Sequence, residues 1–239
     1  ANFLPGLIFY EGKYIKEDFK MAIHYFKKNI NKKKPFHKKA DKTIFTQNCA
    51  IKINIELFKY FNPNCNDIII DSMYYIGKIY LYSKDIQNSI YYLKLASKNN
   101  HANSNYLLGK MYCCANIYSE AFQYLTLASN KNHPEALYEL GIMYFYGYHV
   151  QKNINKAIEY FSRSANNNND EAQYIIGCFY YEGLYLKKNI DKCLHYLQLA
   201  SNNNNPKAQT LLANFYFNGL PVKKDVQMAI YYYSLAATN

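Results

Sequence analysis

The histidines are the side chains best suited to acid–base catalysis near neutral pH, and they lie at positions 24, 37, 101, 133, 149 and 195. His24 and His195 share one position of an internal repeat. Other copies of the repeat place Tyr91, Gln123 and Glu159 there, a variety typical of a helix surface. The chain also lacks a Ser/His/Asp arrangement, an H-E-x-x-H motif and a phosphate-binding glycine loop. We therefore predict that it is not an enzyme.

The six cysteines could bind a metal or form disulfides, but their spacing indicates neither. They form no C-x-x-C pair, and Cys113 and Cys114 are neighbours that cannot easily bridge each other. Cys193 stands at a small-residue position and is expected to be buried. Cys178 shares a position with lysine and asparagine and is expected to be more accessible, with a reactive thiol as the less favoured interpretation. We predict no metal site and no cofactor.

The formal net charge is +11, and one segment concentrates much of it. This segment, Asn31 to Lys39, could contact an anionic partner such as nucleic acid through Lys32, Lys33, Lys34, Lys38 and Lys39. We favour a solvated loop. No run approaches the roughly 20 apolar residues of a membrane-spanning helix. Because the sequence starts at Ala1 without a visible signal peptide, cytoplasmic, organellar and endoplasmic-reticulum locations all stay open.

The chain contains an internal repeat. Three copies align without gaps at a spacing of 36 residues, starting at Ala136, Ala172 and Ala208. Two earlier copies, from Ser72 and Ser104, lack four residues of the loop that reads GYHVQKN in the first long copy. Each copy holds two stretches of apolar residues at helical spacing, which we name helix A and helix B. Two such helices cannot bury both faces alone, whereas stacked copies can.

Small residues recur at one position of each helix. In helix A they are Gly77, Gly109, Gly141, Gly177 and Ala213, and in helix B they are Ser89, Ala121, Ala157, Cys193 and Ala229. Glycine inside a helix costs about 1 kcal/mol relative to alanine, so its recurrence predicts a close approach of the two helices. Tyrosines that recur in phase are predicted to be core residues, at positions 80, 112, 144, 180 and 216.

The pattern A-x-x-x-L-G-x-x-Y-x-x-G-x-x-V-x-K-N-x-x-K-A-x-x-Y-F-x-x-A resembles the Sel-one-like repeat, a relative of the tetratricopeptide repeat with a longer loop between its helices. The three long copies match it best, including the glycines after helix A, Gly147, Gly183 and Gly219. The resemblance implies an all-α, right-handed α–α superhelix (solenoid) of about six helical hairpins. It also implies an adaptor or scaffold that binds other proteins.

The repeat phase divides the chain into seven segments. They are a partial repeat (the end of a helix A and a helix B) at 1–28, a degenerate repeat with the basic loop at 29–71, and five repeats at 72–103, 104–135, 136–171, 172–207 and 208–239. The sequence begins inside a helix A and ends without a polar capping helix. We therefore expect that the natural chain continues or that a neighbouring subunit covers an end.

The runs SANNNNDEAQ and ASNNNNPKAQ are interpreted as turns from one helix B to the next helix A. Asparagine suits the left-handed and capping conformations at helix ends. Pro134 and Pro206 fit the first turn of a helix.

The concave surface of such an array is expected to be formed by helix A. The residues that would line it, and that we predict to bind a partner, are Tyr74, Lys78, Tyr106, Lys110, Tyr138, Ile142, Phe145, Tyr174, Cys178, Tyr181, Thr210, Asn214 and Phe217. A row of tyrosines with lysines at one end could hold a mildly acidic peptide. The alternative is that these tyrosines only pack against the next helix A.

We predict a non-catalytic scaffold within a larger protein complex. One alternative is a structural subunit of a large assembly such as a ribonucleoprotein, contacted through the lysine-rich loop. The family resemblance adds a second, a substrate adaptor of endoplasmic-reticulum-associated degradation. Nucleic acid is expected to be at most a minor partner.

Overall fold

The computed structural model describes residues 19–30 and 65–238 of the chain. Over these residues it contains helices and no strand. In chain order, the helices of this part of the chain are α1 (Phe19–Ile30), α2 (Cys65–Tyr82), α3 (Ile86–Ser97), α4 (Ala102–Cys114), α5 (Tyr118–Ser129), α6 (Pro134–Tyr146), α7 (Ile154–Asn166), α8 (Asp170–Glu182), α9 (Ile190–Asn202), α10 (Pro206–Asn218) and α11 (Val226–Thr238). The predicted all-α fold of helical hairpins is confirmed.

The first of two compact units, residues 1–104, is built around α1, α2 and α3. Ala22 and Phe26 of α1 meet Ile76 and Ile79 of α2 in one apolar core, and α2 packs in turn against α3. Helix α1, the predicted helix B of the partial repeat, therefore packs against α2.

The predicted basic loop lies outside the described residues, as do the start of the partial repeat at 1–28 and most of the degenerate repeat at 29–71. Nothing in the described part tests these boundaries, which stay predictions.

The second unit, residues 105–239, alternates helix A and helix B. Helix α6 pairs with α7, α8 with α9 and α10 with α11, and each helix B also packs against the helix A that follows it. Apolar residues from both kinds of helix fill the space between them, so each hairpin shares its core with its neighbours. A single hairpin of two short helices could not bury its apolar residues in this way by itself.

The small positions allow the two helices of a hairpin to approach closely, as predicted. A Cβ atom on Gly141 would lie 2.6 Å from ring carbons of Phe161, which leaves no room for any side chain. In three other hairpins a leucine takes the place of Phe161 opposite Gly77, Gly109 and Gly177. A Cβ atom on these glycines would lie 2.7, 2.7 and 3.1 Å from the leucine side chain. The facing small residues of helix B are buried as well.

The recurrent tyrosines of helix A each stack on a tyrosine of helix B. The five pairs are Tyr80–Tyr92, Tyr112–Tyr124, Tyr144–Tyr160, Tyr180–Tyr196 and Tyr216–Tyr232, with ring centroids 5.5–6.0 Å apart and planes within 3–16° of parallel. Stacking adds to the stabilisation that burial of the rings provides. The prediction that these tyrosines are core residues is confirmed in the sense that they line the helix A–helix B interface, partly buried.

The loop from helix A to helix B depends on a left-handed glycine. Gly183 ends α8 with φ +75°, and its N–H donates to the carbonyl of Phe179. A Cβ atom there would lie 3.0 Å from Cβ of Lys188, which folds back against the helix end. Glycine is therefore required for both its backbone conformation and the space it leaves. Gly147 and Gly219 repeat this arrangement.

The asparagine runs are turns between hairpins, as predicted, and each asparagine of the last run has its own role. Asn202 accepts a hydrogen bond from Gln198, and Asn203 caps the end of α9. Asn204 adopts the left-handed conformation at φ +63°. The fully buried Asn205 accepts from the N–H of Ala208 and thereby caps α10. The four asparagines look like a low-complexity run, but each makes a different contribution to the turn.

Candidate functional site

The predicted partner-binding residues on the helices A are called the helix A surface. In the second unit this surface starts with an aromatic stack and a lysine. Tyr106 of α4 stacks on His133, which caps the start of α6, with ring centroids 4.7 Å apart. Nζ of Lys110 donates a hydrogen bond to Oη of Tyr106 at 3.3 Å. Burial raises the pKa of Tyr106, and the hydrogen bond to Tyr106 raises the pKa of Lys110. At neutral pH the pair therefore presents a neutral phenol and a charged ammonium.

Glu139 is an acid at a helix A position that is otherwise apolar. The equivalent residues are Tyr75, Leu107, Ile175 and Leu211. The Glu139 side chain is half-buried, and burial raises its pKa although the nearby Lys110 acts in the opposite direction. Among the five copies compared, Glu139 is the one charged residue at this position. This exception is the sequence signal that could have identified Glu139 as part of the surface.

Replacing Glu139 with leucine is expected to stabilise the protein by about 1 kcal/mol at pH 8, since a half-buried carboxylate is poorly solvated. A raised pKa in the folded state means that wild-type stability is highest below the unfolded pKa of about 4.3 and falls as pH rises through the folded pKa. The gain from Glu139→Leu should therefore nearly vanish at about pH 4. Urea unfolding at both pH values measures it. Glu159→Leu on the exposed face of α7 is the control, and an equal gain there would contradict the explanation.

Two further tyrosines of the surface pack against neighbouring helices. The ring of Tyr138 lies 5.8 Å from that of Phe161, and Tyr174 contacts the core between α9 and α10. Burial raises the pKa of each tyrosine to about 12. Cys178 lies one turn after Tyr174, half-buried, and burial raises its pKa so that the thiol is protonated at neutral pH. Packing is thus observed, and binding of a ligand stays a prediction.

An open depression lies between α8 and α10. It is lined by Tyr174, Thr210 and Asn214, three predicted residues, and by three that the sequence did not single out, Pro206, Lys207 and Leu211. Nζ of Lys207 pairs with the carboxylate of Glu171 at 2.9 Å. The alternation of apolar, hydroxyl, amide and charged groups suits a peptide backbone with one apolar side chain.

The far end of the helix A surface is aromatic. Phe145 stacks on Phe179 at 6.0 Å, and Tyr181 contacts Phe215 at 4.8 Å, so each ring lies between two successive helices A. Ile142 packs into the same core as Phe145. Phe217, in the last hairpin, is 51% exposed. The predicted residues of the second unit are thus brought together along one layer of helices.

In the first unit, the ring of Tyr74 lies 5.0 Å from His101, which repeats the contact of Tyr106 with His133. Lys78 is half-buried one turn further along α2. His101 also lies 3.3 Å from the carboxylate of Asp71. The predicted anionic-contact lysines, residues 32–34, 38 and 39, lie outside the described residues.

Comparison with known proteins identifies the repeat. The sequence profile of the Sel1 repeat matches residues 1–28, 70–101, 102–133, 134–169, 170–205 and 206–239. The chain belongs to the Sel1 repeat family. The resemblance inferred from the sequence is therefore confirmed. No curated protein matches the chain.

Solved structures show the same fold. A Sel1 repeat protein from Oxalobacter formigenes has a TM-score of 0.78 at 22% identity, covering 99% of this chain and 86% of its own. The antigen c5321 of uropathogenic Escherichia coli, with an SLR fold, has a TM-score of 0.60 at 20% identity, covering 99% and 53%. The immunity protein Pa5087 from Pseudomonas aeruginosa has a TM-score of 0.53 at 22% identity, covering 71% and 68%.

Sel1 repeat proteins are generally scaffolds for protein–protein interaction and are typically non-catalytic. Within residues 19–30 and 65–238, no three His, Cys, Asp or Glu side chains are grouped so that they could hold a metal ion. None of the helices described has the length and apolar character needed to cross a membrane.

Proposed function

We propose that this Sel1 repeat chain is a non-catalytic scaffold that binds an extended or helical segment of a partner protein on its helix A surface. The observation that carries the proposal is the depression between α8 and α10, which brings Tyr174, Thr210 and Asn214 together with Leu211. Because neighbouring hairpins hold these side chains, the surface is formed before a partner arrives. A preformed surface reduces the entropy that binding must overcome.

The charge of this layer indicates the partner's character. The helices A of the second unit carry two lysines, Lys110 and Lys207, against five acids, Glu135, Glu139, Asp170, Glu171 and Glu182. This balance favours a neutral or basic segment, in place of the mildly acidic peptide expected from the sequence. The tyrosines would supply the aromatic contacts that are enriched at protein interfaces.

Affinity purification from native cells tests the proposal. Thr210→Arg places a large charged side chain at the rim of the depression, and because Thr210 is exposed it should leave folding unchanged. We expect at least about a tenfold loss of the specific partner, comparable to loss of a binding hot spot. Gln123→Arg introduces the same side chain on the exposed face of α5 and is expected to retain the partner. If both variants recover the same partner as the wild type, the depression is not the binding site.

Two narrower roles stay hypotheses. A structural subunit of a ribonucleoprotein would use residues 32–39 on phosphates, and RNA binding with a steep salt dependence, abolished by neutralising those lysines, would support it. An adaptor in endoplasmic-reticulum-associated degradation rests on the family resemblance alone, and co-purification of a membrane ubiquitin ligase would support it.

A further inference from the structure

We infer that the second unit has another interaction surface, formed by the loops from helix A to helix B, and that it docks on an anionic phospholipid membrane. The loop edge is defined as residues 147–156, 183–192 and 219–228, which are three loops with the first turn of the helix B that follows each. This inference does not depend on the helix A surface and goes beyond the proposed scaffold function.

The loop edge concentrates positive charge. It holds seven of the eleven Lys and Arg residues of the second unit, Lys152, Lys156, Lys187, Lys188, Lys192, Lys223 and Lys224, and only two of its nine Asp and Glu residues, Asp191 and Asp225. All seven lysines are exposed. Within the described residues none of them forms an ion pair. The charge is therefore available to an external anion.

Five of these lysines lie over aromatic rings, including Lys156 over Tyr144 and Lys192 over Tyr180, each at 5.2 Å. Lys152, Lys188 and Lys224 occupy the same repeat position, and their Nζ atoms lie 6.0, 5.7 and 5.7 Å from the ring centroids of Phe145, Tyr181 and Phe217. The packing of the Cβ atom of each of these three lysines against the glycine that ends helix A fixes the start of the side chain. A regular row of cations thus follows from the repeat.

The same loops also expose apolar side chains. Leu184 is 73% exposed and Leu220 is 70% exposed, and both stand directly after the left-handed glycine of their loops. Tyr185 follows Leu184 directly, and in the first of the three loops the exposed Tyr146 and Tyr148 stand on either side of Gly147. Exposed leucine, tyrosine and lysine on the same edge suit a bilayer interface, because leucine can enter the acyl region while lysine contacts the phosphates.

Two observations disfavour the other anionic partners. Tyr148 contacts the rings of Tyr118 at 5.0 Å and Tyr146 at 5.6 Å, so a nucleobase that stacked on it would have to compete with this aromatic packing. The leucines protrude and do not line the depression between α8 and α10, whereas a peptide-binding site needs a concave surface around its apolar anchors. A soft interface accepts protruding side chains without a matching pocket.

Co-sedimentation with vesicles tests the inference. The whole chain is used with K32Q, K33Q, K34Q, K38Q and K39Q, so that the N-terminal lysine run cannot provide the attraction. We expect binding to vesicles of phosphatidylcholine with phosphatidylserine, weak binding to phosphatidylcholine alone, and release by high salt. The quadruple variant L184S/K187Q/L220S/K223Q should lower the partition coefficient at least about tenfold, since each lysine near the surface contributes about fivefold.

The control is L127S/K131Q, which changes one exposed leucine and one exposed lysine near the opposite end of a helix B and is compared with L184S/K187Q, the half of the quadruple variant that lies in one loop. This control should bind vesicles as strongly as the chain that carries only the five N-terminal lysine substitutions. Circular dichroism should show that the variants are folded. Absence of binding to phosphatidylserine vesicles would overturn the inference, as would equal loss in L127S/K131Q and L184S/K187Q. Binding to a labelled single-stranded RNA but not to vesicles would also overturn it and assign the charge to nucleic acid.

Discussion

Replacing Phe161 with alanine is expected to lower the free energy of unfolding by about 3–5 kcal/mol, a large effect for a single substitution. Phe161 is 1% exposed on α7, and its ring contacts those of Tyr138, Phe145 and Phe179. Because Gly141 approaches it from the other side, truncation would remove the filling between two helices of one hairpin and a helix of the next. The surrounding rings are held by their own stacks and would close the cavity only partly.

Urea unfolding followed by circular dichroism measures this effect. Phe161→Leu should cost only about 1 kcal/mol, since leucine retains most of the buried volume and occupies the same position in three other hairpins. Phe217→Ala is the matched control, because Phe217 is 51% exposed and its loss should change stability by at most about 1 kcal/mol. Similar costs for Phe161→Ala and Phe217→Ala would show that the hairpin core does not determine stability.

The second prediction concerns a cap in the asparagine run. Asn205→Ala should lower the free energy of unfolding by about 2–3 kcal/mol, because Asn205 is fully buried and makes two hydrogen bonds. Its carbonyl oxygen accepts from the N–H of Ala208 at 2.9 Å, and its Nδ2 donates to Asp170 at 2.8 Å. The substitution would leave a buried helix N–H without an acceptor and remove the link between the starts of α8 and α10.

Two other variants separate these contributions in thermal unfolding. Asn153→Ala removes the exposed cap of α7, so it should cost about 1 kcal/mol or less. Asn205→Asp retains the cap but places a carboxylate beside Asp170, and repulsion between the two like charges should destabilise the folded state at neutral pH. Because protonation relieves this repulsion, the stability deficit should shrink as the pH falls towards about 4. If Asn205→Ala costs no more than Asn153→Ala, the buried bond to Asp170 contributes nothing.

Sequence patterns predicted only part of the helix A surface. Tyr106 and Lys110 were predicted from their helical spacing, but His133 was not predicted to be part of this surface. Its stacking on Tyr106 depends on how two consecutive hairpins are placed, which residue spacing within one hairpin does not determine. Lys207 and Leu211 were missed for the same reason, because a depression between two helices A has no signature in either helix.

The sequence by itself determined the fold class, the phase of the repeat, the small positions between helices and the turns at the asparagine runs. Each of these follows from local periodicity or backbone preference, and repetition makes such signals visible several times over. Only the tertiary structure decided which half-buried groups meet, including the acid Glu139 beside Lys110, the ring stack at Tyr148 and the buried bond from Asn205 to Asp170. These interactions join separate hairpins, and they depend on the packing of whole helices.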